Sequence, residues 1–555
     1  MLARAPSAEQ MPMDMREQAD HDHGWSDPPS YAGVPMLAGM MSLRPDVTPL
    51  LPNGVSLADV PEARPREIVE LPNGGTLDLV ADFVRRRIQD QDVLMLAFNG
   101  QHPGPLIRVS QASTIFVNFE NRAPLPTTIH WHGLRLDNRF DGVPGVTQDA
   151  VESGGAFRYQ VHFPDAGIYW YHPHHREDVQ QELGLYGNML VDSPQPDYYG
   201  PASREEIVML DDLLLGEDGV IPFGDEAANY ALMGRFGNVL LINGEPSYEL
   251  NVQRGEVVRF FLTNVSNTRT FNVSLRASDA PEADPLPIKV VASDVSRFER
   301  EVMVESVAIA PAERYVVDVR FPASGDYALS NRVQGINHRM GLFLAEVSAL
   351  GTVHVSDQAT ADDHAEAFRT LRTYAAVVED IDRFRGRFDD PPDRQLLLTM
   401  EASDLPGPTE QSMLYDWVYF NPVEWTGTMP RMNWASSGQQ LSWILRDPAT
   451  GLENTEIDWN FGVGDVVKIR VTNDRGAFHA MQHPLHIHGQ RFLVVEQNGV
   501  RTDNLVWKDT VLLPTGSTTD ILLEITNPGR WMVHCHIAEH LEAGMKFVFN
   551  VDGPR

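Results

Sequence analysis

Four pairs of histidines, each pair separated by one residue, do most to limit how this chain can fold. His130-Trp131-His132 and His172-Pro173-His174 lie in its first third. His486-Ile487-His488 and His534-Cys535-His536 lie near its C-terminal end. On an extended strand, residues i and i+2 point to the same face. Each pair therefore offers two imidazoles to one side, and Cys535 points to the side opposite its neighbours. The fold expected is one that carries these pairs on β-strands, each pair facing a cavity.

The rest of the sequence reads as strands. Thr76–Arg87 alternates Leu77, Leu79, Ala81 and Phe83, and Leu106–Asn118 reads as two strands around a polar turn. Phe157–Phe163, Gly167–Tyr171 and Gly187–Val191 follow; then Val239–Gly244, Val257–Leu262, Thr270–Leu275 and Tyr315–Phe321. Val466–Val471, Phe492–Gln497, Asp520–Thr526 and Trp531–Cys535 complete the pattern. The 42 glycines and 39 prolines are spread through the chain, as turns between short strands require. Only Asp362–Phe384 has helical spacing, with Phe368, Leu371, Tyr374, Val377, Val378 and Ile381 on one face. At 555 residues the chain is long enough for about three domains.

The expected architecture is therefore all-β: three Greek-key β-sandwich or barrel domains in series, with a helical linker between the second and third. The boundaries predicted are a polar, Met/Pro-rich N-terminal extension over 1–65, domains over 66–195 and 196–355, a linker over 356–393 and a third domain over 394–555.

Ten of the 19 histidines fall in the four groups, counting His483 and His540 beside the last two pairs. Cys535, the single cysteine, excludes an intramolecular disulfide. Its natural partners are His483 and His540, with Met545 further on. One thiolate, two imidazoles and a thioether form the donor set of a blue-copper electron-transfer centre. Zinc also accepts cysteine and histidine, but an axial methionine is a copper preference. The peptide links from Cys535 to His534 and His536 join that centre to a many-histidine cluster. A hydrolase would need one basic histidine rather than ten.

The four motifs, HWHG, WYHPH, HPLHIHG and HCHIAEHLEAGM, resemble those of the multicopper oxidases, the family of laccases, ascorbate oxidase and bacterial metal-ion oxidases. The resemblance implies cupredoxin-like domains and four copper ions per chain. His483, Cys535, His540 and Met545 would hold a type 1 copper, with Cys535 carrying electron transfer. His130 and His486 would hold the type 2 copper. His132, His172 and His536 would hold one type 3 ion, and His174, His488 and His534 the other. Asp141 matches the family's proton-supplying acid, although an acid before Gly142 also suits a turn. One departure is visible: Leu541 stands where several bacterial relatives carry a glutamate after the last type 1 histidine. Asp509 is open to two readings, orienting a histidine or forming a structural ion pair.

A net charge of -33 argues against nucleic acid or an anionic membrane surface as partner and attracts small cations. No apolar run is long enough to span a bilayer. No secretory signal is visible, and the expected location is periplasmic or extracellular with the signal removed. Partners implied by the resemblance are dioxygen and a small reducing substrate. The expected activity is laccase-like oxidation of phenols or aromatic amines. The alternatives are a metallo-oxidase of Cu(I) or Fe(II), and a copper carrier without turnover. Met11, Met13, Met15, His21 and His23 in the extension, and Met400, Met413, Met429, Met432 and Met481, would support the metal-ion reading if they lay near the type 1 site.

Overall fold

The structure, a computed structural model, describes residues 55–217, 219–223, 227–337, 342–403, 423–426 and 440–553. The Met/His cluster at 11–23 and Met413, Met429 and Met432 lie outside the described residues.

Three cupredoxin-like units follow one another, each a pair of facing sheets closed over an apolar core. In the first, Gln91–Phe98, Thr76–Ile88, Thr114–Asn121 and Ala156–His162 lie side by side. The facing sheet runs Ile68–Glu70, Leu106–Ser110, Gly187–Asp192, Gly167–His172 and His130–His132. Alternation explains the layering: Leu77, Leu79, Ala81 and Val84 turn inward while Thr76 and Asp78 face water. The expected turn inside 106–118 falls between Ser110 and Thr114. The middle unit has two six-stranded sheets, and the last has one of seven and one of five. The strand Val423–Thr426 joins the middle unit's sheet, running parallel to Gln334–Asn337.

The helical linker differs from expectation. The segment predicted as one helix forms two, Ala365–Arg369 and Ala375–Asp382, with Thr370 extended between them. Tertiary bonds break it. Glu301 N–H donates to Arg372 O at 3.0 Å, and Tyr374 N–H donates to Glu299 O at 2.9 Å. The buried Glu301 carboxylate also accepts from Arg372 N–H at 2.9 Å and Tyr374 O–H at 2.5 Å. A helix this short has little stability of its own, so such bonds override its local preference. Ile381, Phe384 and Phe388 then pack with Val295 of the middle unit and Leu493, Leu505 and Trp507 of the last.

The four histidine strands belong to the five-stranded sheets of the first and third units. His130–His132 pairs antiparallel with Gly167–His172, setting His130 opposite His172. His483–Ile487 pairs with Gly529–Cys535, setting His486 opposite His534 and Leu485 opposite Cys535.

Candidate metal centre

The eight paired imidazoles meet in one buried cluster between the first and third units. His130 sits in its middle, with ring centroids 4.0 Å from His488, 5.3 Å from His172 and 5.9 Å from His486. His132, His172 and His536 form one group, with centroids 5.1–5.7 Å apart. His174, His488 and His534 form another: Nε2 of His488 lies 3.3 Å from that of His174 and 3.0 Å from that of His534.

Six of the eight rings are held from outside the cluster, while neither nitrogen of His536 has a protein partner. His130 Nδ1–H donates to Asp141 O at 2.7 Å, His172 Nδ1–H to Pro173 O at 2.8 Å, and His534 Nδ1–H to Cys535 O at 2.9 Å. His486 Nδ1–H donates to Asp509 O at 2.9 Å, and His488 Nδ1–H to the Asp141 carboxylate at 2.9 Å. His132 is held by its other nitrogen, Nε2, 3.1 Å from the Asp509 carboxylate. The inward nitrogens of His130, His132, His172 and His486 are buried without a protein partner.

This fixes the tautomers. A ring whose outer nitrogen donates keeps a bare lone pair on the inner one. The Nε2 lone pairs of His488 and His534 face each other at 3.0 Å, an arrangement that repels unless a cation lies between them. Burial, together with neighbouring imidazoles, lowers the pKa of His172, His174, His488, His534 and His536 well below the ordinary range. The neutral, ligating form is thereby favoured. The donor set fits a cluster of imidazole-binding ions.

Asp141 stands both at the expected turn and against the cluster. It ends the short 3-10 turn Asn138–Phe140, and its buried carboxylate reaches His488. Gly142 makes this possible: at φ +82 its Cα lies so close to Ile129 that an added Cβ would sit 1.9 Å from the Ile129 carbonyl oxygen. Asp509 likewise does both jobs. Its carboxylate holds His132 and takes a bidentate bond from Arg314, at 2.6 and 2.5 Å. Arg314, from the middle unit, holds the Asp509 carboxyl well below the usual carboxylate range, against the opposing effect of burial.

The second site lies behind Cys535. Its Sγ is 3.5 Å from His483 Nδ1 and 3.8 Å from His540 Nδ1, and those two nitrogens are 3.3 Å apart. Met545 is fully buried, and its backbone bonds to Cys535 N–H at 3.1 Å and to His540 O at 3.0 Å. Burial pushes the Cys535 thiol above its ordinary value and the His483 imidazole down to about 3. Ile537 N–H points at the sulfur from 3.4 Å. Met400 and Met481 are core side chains of the last unit, in the same apolar cluster as Cys535 and Met545.

Three family models, each described as multicopper oxidase, match residues 84–196, 223–349 and 424–554. The chain belongs to the multicopper oxidase family. A multicopper oxidase of Mycobacterium tuberculosis, MmcO, is 26% identical over 485 residues, covering 82% of each protein. The laccase-like multicopper oxidase of Ochrobactrum sp., whose oxidase activity extends to lignin model compounds, superposes with a TM-score of 0.65 at 23% identity. That match covers 88% of this chain and 100% of the other. A Campylobacter jejuni multicopper oxidase described as a metallo-oxidase superposes at 0.64 with 20% identity, covering 90% and 98%. These two likenesses establish the fold. Family membership makes this chain a copper-dependent oxidoreductase that uses dioxygen and a reducing substrate. Among the described residues no helix is long and apolar enough to cross a membrane.

Sequence reasoning missed three groups here. Glu177 lies fully buried, 3.0 Å from His174 Nδ1, with burial raising its carboxyl well above the ordinary range. Its signal was the spacing of three after His174, where Arg176 at φ +47 turns the strand into a helix. Arg314 had no local signal, because it reaches the site from the middle unit. Trp443 lies tilted against His540, with centroids 4.1 Å apart and planes at 31°, and only packing reveals that.

Proposed function

We propose that this multicopper oxidase is a laccase-like enzyme with four copper ions, held by the donors named above. His483, Cys535, His540 and Met545 hold a type 1 ion, and His130 and His486 a type 2 ion. His132, His172 and His536, with His174, His488 and His534, hold the type 3 pair. The domain boundaries we propose are 66–195, 196–355 and 394–555, after an extension over 1–65 and with the linker over 356–393. The observation that carries the reading is the position of Cys535. Its sulfur faces one set of donors, while the histidines bonded to it in sequence face the other.

Copper bound there supplies one-electron redox chemistry: four electrons from four donor oxidations, with four protons, convert one dioxygen to two waters. The protein's own groups do the rest. His534-Cys535-His536 is the covalent path for electrons between the sites. Asp141 orients His488 and holds a carboxylate at the cluster edge, where protons must arrive. Leu541 is buried against Val143 and Met532 and carries no proton. Glu177, against His174, places a second acid at the cluster. Asp509 and Arg314 keep His132 and His486 in register.

A second reading, oxidation of Cu(I) or Fe(II), is favoured by one observation. His483 and His540 are buried. His540 Nε2 is closed by Leu232 O at 3.3 Å, on the helix Ala227–Met233 of the middle unit. Ala231 O of that helix accepts from Trp443 Nε1–H at 2.7 Å. An aromatic donor has no direct approach to that ring edge, whereas a small cation drawn by the acidic surface needs less room.

The test is the visible spectrum of the copper-loaded protein with oxygen uptake. An intense Cu(II)–thiolate band that bleaches with a phenol and recovers in air supports the oxidase. Cys535→Ser should abolish the band, and a band that survives this change would overturn the assignment. Steady oxygen uptake excludes the carrier reading, and the relative turnover of phenol, Cu(I) and Fe(II) decides the substrate.

A further inference from the structure

The middle unit supplies none of the proposed copper donors, yet two of its segments bear on the Cys535 site. The first is the end of the helix Ala227–Met233. Gly234 stops that helix: it sits at φ +80, and an added Cβ would collide with Thr268. Gly234 N–H still donates to Tyr230 O at 2.8 Å, as a helix requires. Arg235 N–H, next in line for Ala231 O, turns instead to Thr268 Oγ1 at 2.9 Å. The carbonyls of Ala231 and Leu232 are thereby left open to outside donors, at the negative end of the helix. Both donors come from the last unit. Ala231 O accepts from Trp443 Nε1–H at 2.7 Å, and Leu232 O from His540 Nε2–H at 3.3 Å.

The second segment is Asn267-Thr268. Asn267 O accepts from Ala538 N–H at 3.1 Å, the first amide of the short helix Ala538–Glu542 that carries His540. A helix of that length is not stable alone. Asn267 Nδ2–H and Thr268 Oγ1–H donate to the Glu539 carboxyl at 3.1 and 2.9 Å. The Thr268 hydroxyl therefore ties together the end of one helix and the helix of the copper ligand. At the site itself the consequences are geometric. A carbonyl can only accept, so His540 carries its proton on Nε2 and keeps the Nδ1 lone pair, 3.8 Å from Cys535 Sγ and 3.3 Å from His483 Nδ1. The Trp443 ring lies against both imidazoles, with centroids 4.1 Å from His540 and 4.8 Å from His483. Leu232 and Met233 share one apolar core with Trp443, Cys535 and Met545.

We propose that the end of the helix Ala227–Met233 is the positioning element of the type 1 centre, and that Trp443 is the positioning residue through which it acts. The inference rests on the type 1 assignment above. A hydrogen bond given by the far nitrogen of an imidazole makes the near nitrogen a stronger donor. The negative end of a helix strengthens that bond. The stronger donor favours Cu(II) over Cu(I), so the middle unit holds the potential of the site down without touching the metal. Trp443, anchored on the neighbouring carbonyl, keeps the His540 ring in the plane that this bond requires.

The experiment is an anaerobic redox titration of the copper-loaded enzyme against a one-electron mediator, read at the Cu(II)–thiolate band, in wild type, Trp443→Phe and Thr268→Val. Trp443→Phe keeps an aromatic ring and removes the N–H that Ala231 O holds. Thr268→Val keeps the shape of the side chain and frees Arg235 N–H to return to Ala231 O. The expected result in both is a reduction constant raised by about threefold or more, because the bond to His540 loosens. The type 2 signal in electron spin resonance should stay as in wild type. A constant that is unchanged or falls in Trp443→Phe overturns the proposal, since a ring that merely fills space is replaced by phenylalanine without effect. If Trp443→Phe does not fold or hold copper, Thr268→Val decides by the same criterion. A wild-type protein without the band would sink the type 1 assignment and this inference with it. A band that Cys535→Ser abolishes, beside an unchanged constant in Trp443→Phe, sinks the inference alone.

Discussion

At the scale of the residue, the centre depends on what stands behind each ligand. Glu177→Gln keeps the size of the side chain but removes an ionisable acid from His174. Changes to groups directly behind metal ligands cost about 10–100-fold in activity or metal affinity. We expect oxygen reduction to slow by that amount while the Cu(II)–thiolate band stays unaltered, measured by oxygen uptake beside the visible spectrum. Equal turnover in the variant would show that Glu177 only fills space. Asp509→Asn acts on stability as well. It deprives Arg314, fully buried, of its bidentate carboxylate and leaves Asp294, at 3.4 Å, as the acid beside it, with the Ile168 and Ala312 carbonyls. Losing one partner of a buried pair costs about 3 kcal/mol or more, which chemical unfolding should read directly. A change below about 1 kcal/mol would mean that Asp294 takes over the whole charge.

At the scale of the element, the linker behaves as a packed wedge. Its second helix puts Ile381 into a core shared by the middle and last units. Trp507 Nε1–H donates to Asp380 at 2.8 Å, while the Arg491 guanidinium stacks 4.0 Å from the Trp507 ring. Ile381→Ala should cost about 2–5 kcal/mol by removing buried methyl groups and leaving a cavity. Its visible spectrum should match the wild type, because no metal donor lies on the linker. A denaturation midpoint indistinguishable from wild type would show the linker to be loosely attached. The apolar spacing of 362–384 was legible in the sequence, and Phe368, Tyr374 and Ile381 of the expected face are buried, but Leu371 is exposed where the chain leaves the helix. The break at Thr370 was not legible, since the bonds that cause it come from Glu299 and Glu301, over sixty residues earlier.

At the scale of the whole molecule, the three units meet in a seam of buried charge. Glu182 of the first unit pairs with Arg235 of the middle one at 3.1 Å, and Glu539 of the last accepts from Asn267 and Thr268. Burial pushes the Glu182 carboxyl up to about 7, even against Arg235, and the Glu539 carboxyl up to about 8. An acid whose pKa is higher folded than unfolded binds its proton more tightly in the native state. Its contribution is full below the unfolded value of 4.5 and is lost as pH rises through the folded one. The buried imidazoles act in the opposite sense below 6.5, so the acid's share is read as a difference: the stability of wild type relative to Glu182→Gln in urea unfolding should fall as pH rises from 4.5 to about 7. A difference that grows across the same window would contradict this account.

Local pattern alone determined much of this protein. Alternation of apolar and polar residues sets the strands, and the period of two sets which histidines share a face. The odd position of Cys535 between two of them separates the sulfur from the cluster. These properties are carried by neighbours in sequence, and backbone geometry enforces them wherever the strand lies. The tertiary structure decided what depends on distance. Arg314 stands behind Asp509 across 195 residues, Leu232 closes the edge of His540 across 308, and Arg86 reaches Glu245 across 159. No local period encodes such contacts. Electrostatics and close packing select them only after the units have docked.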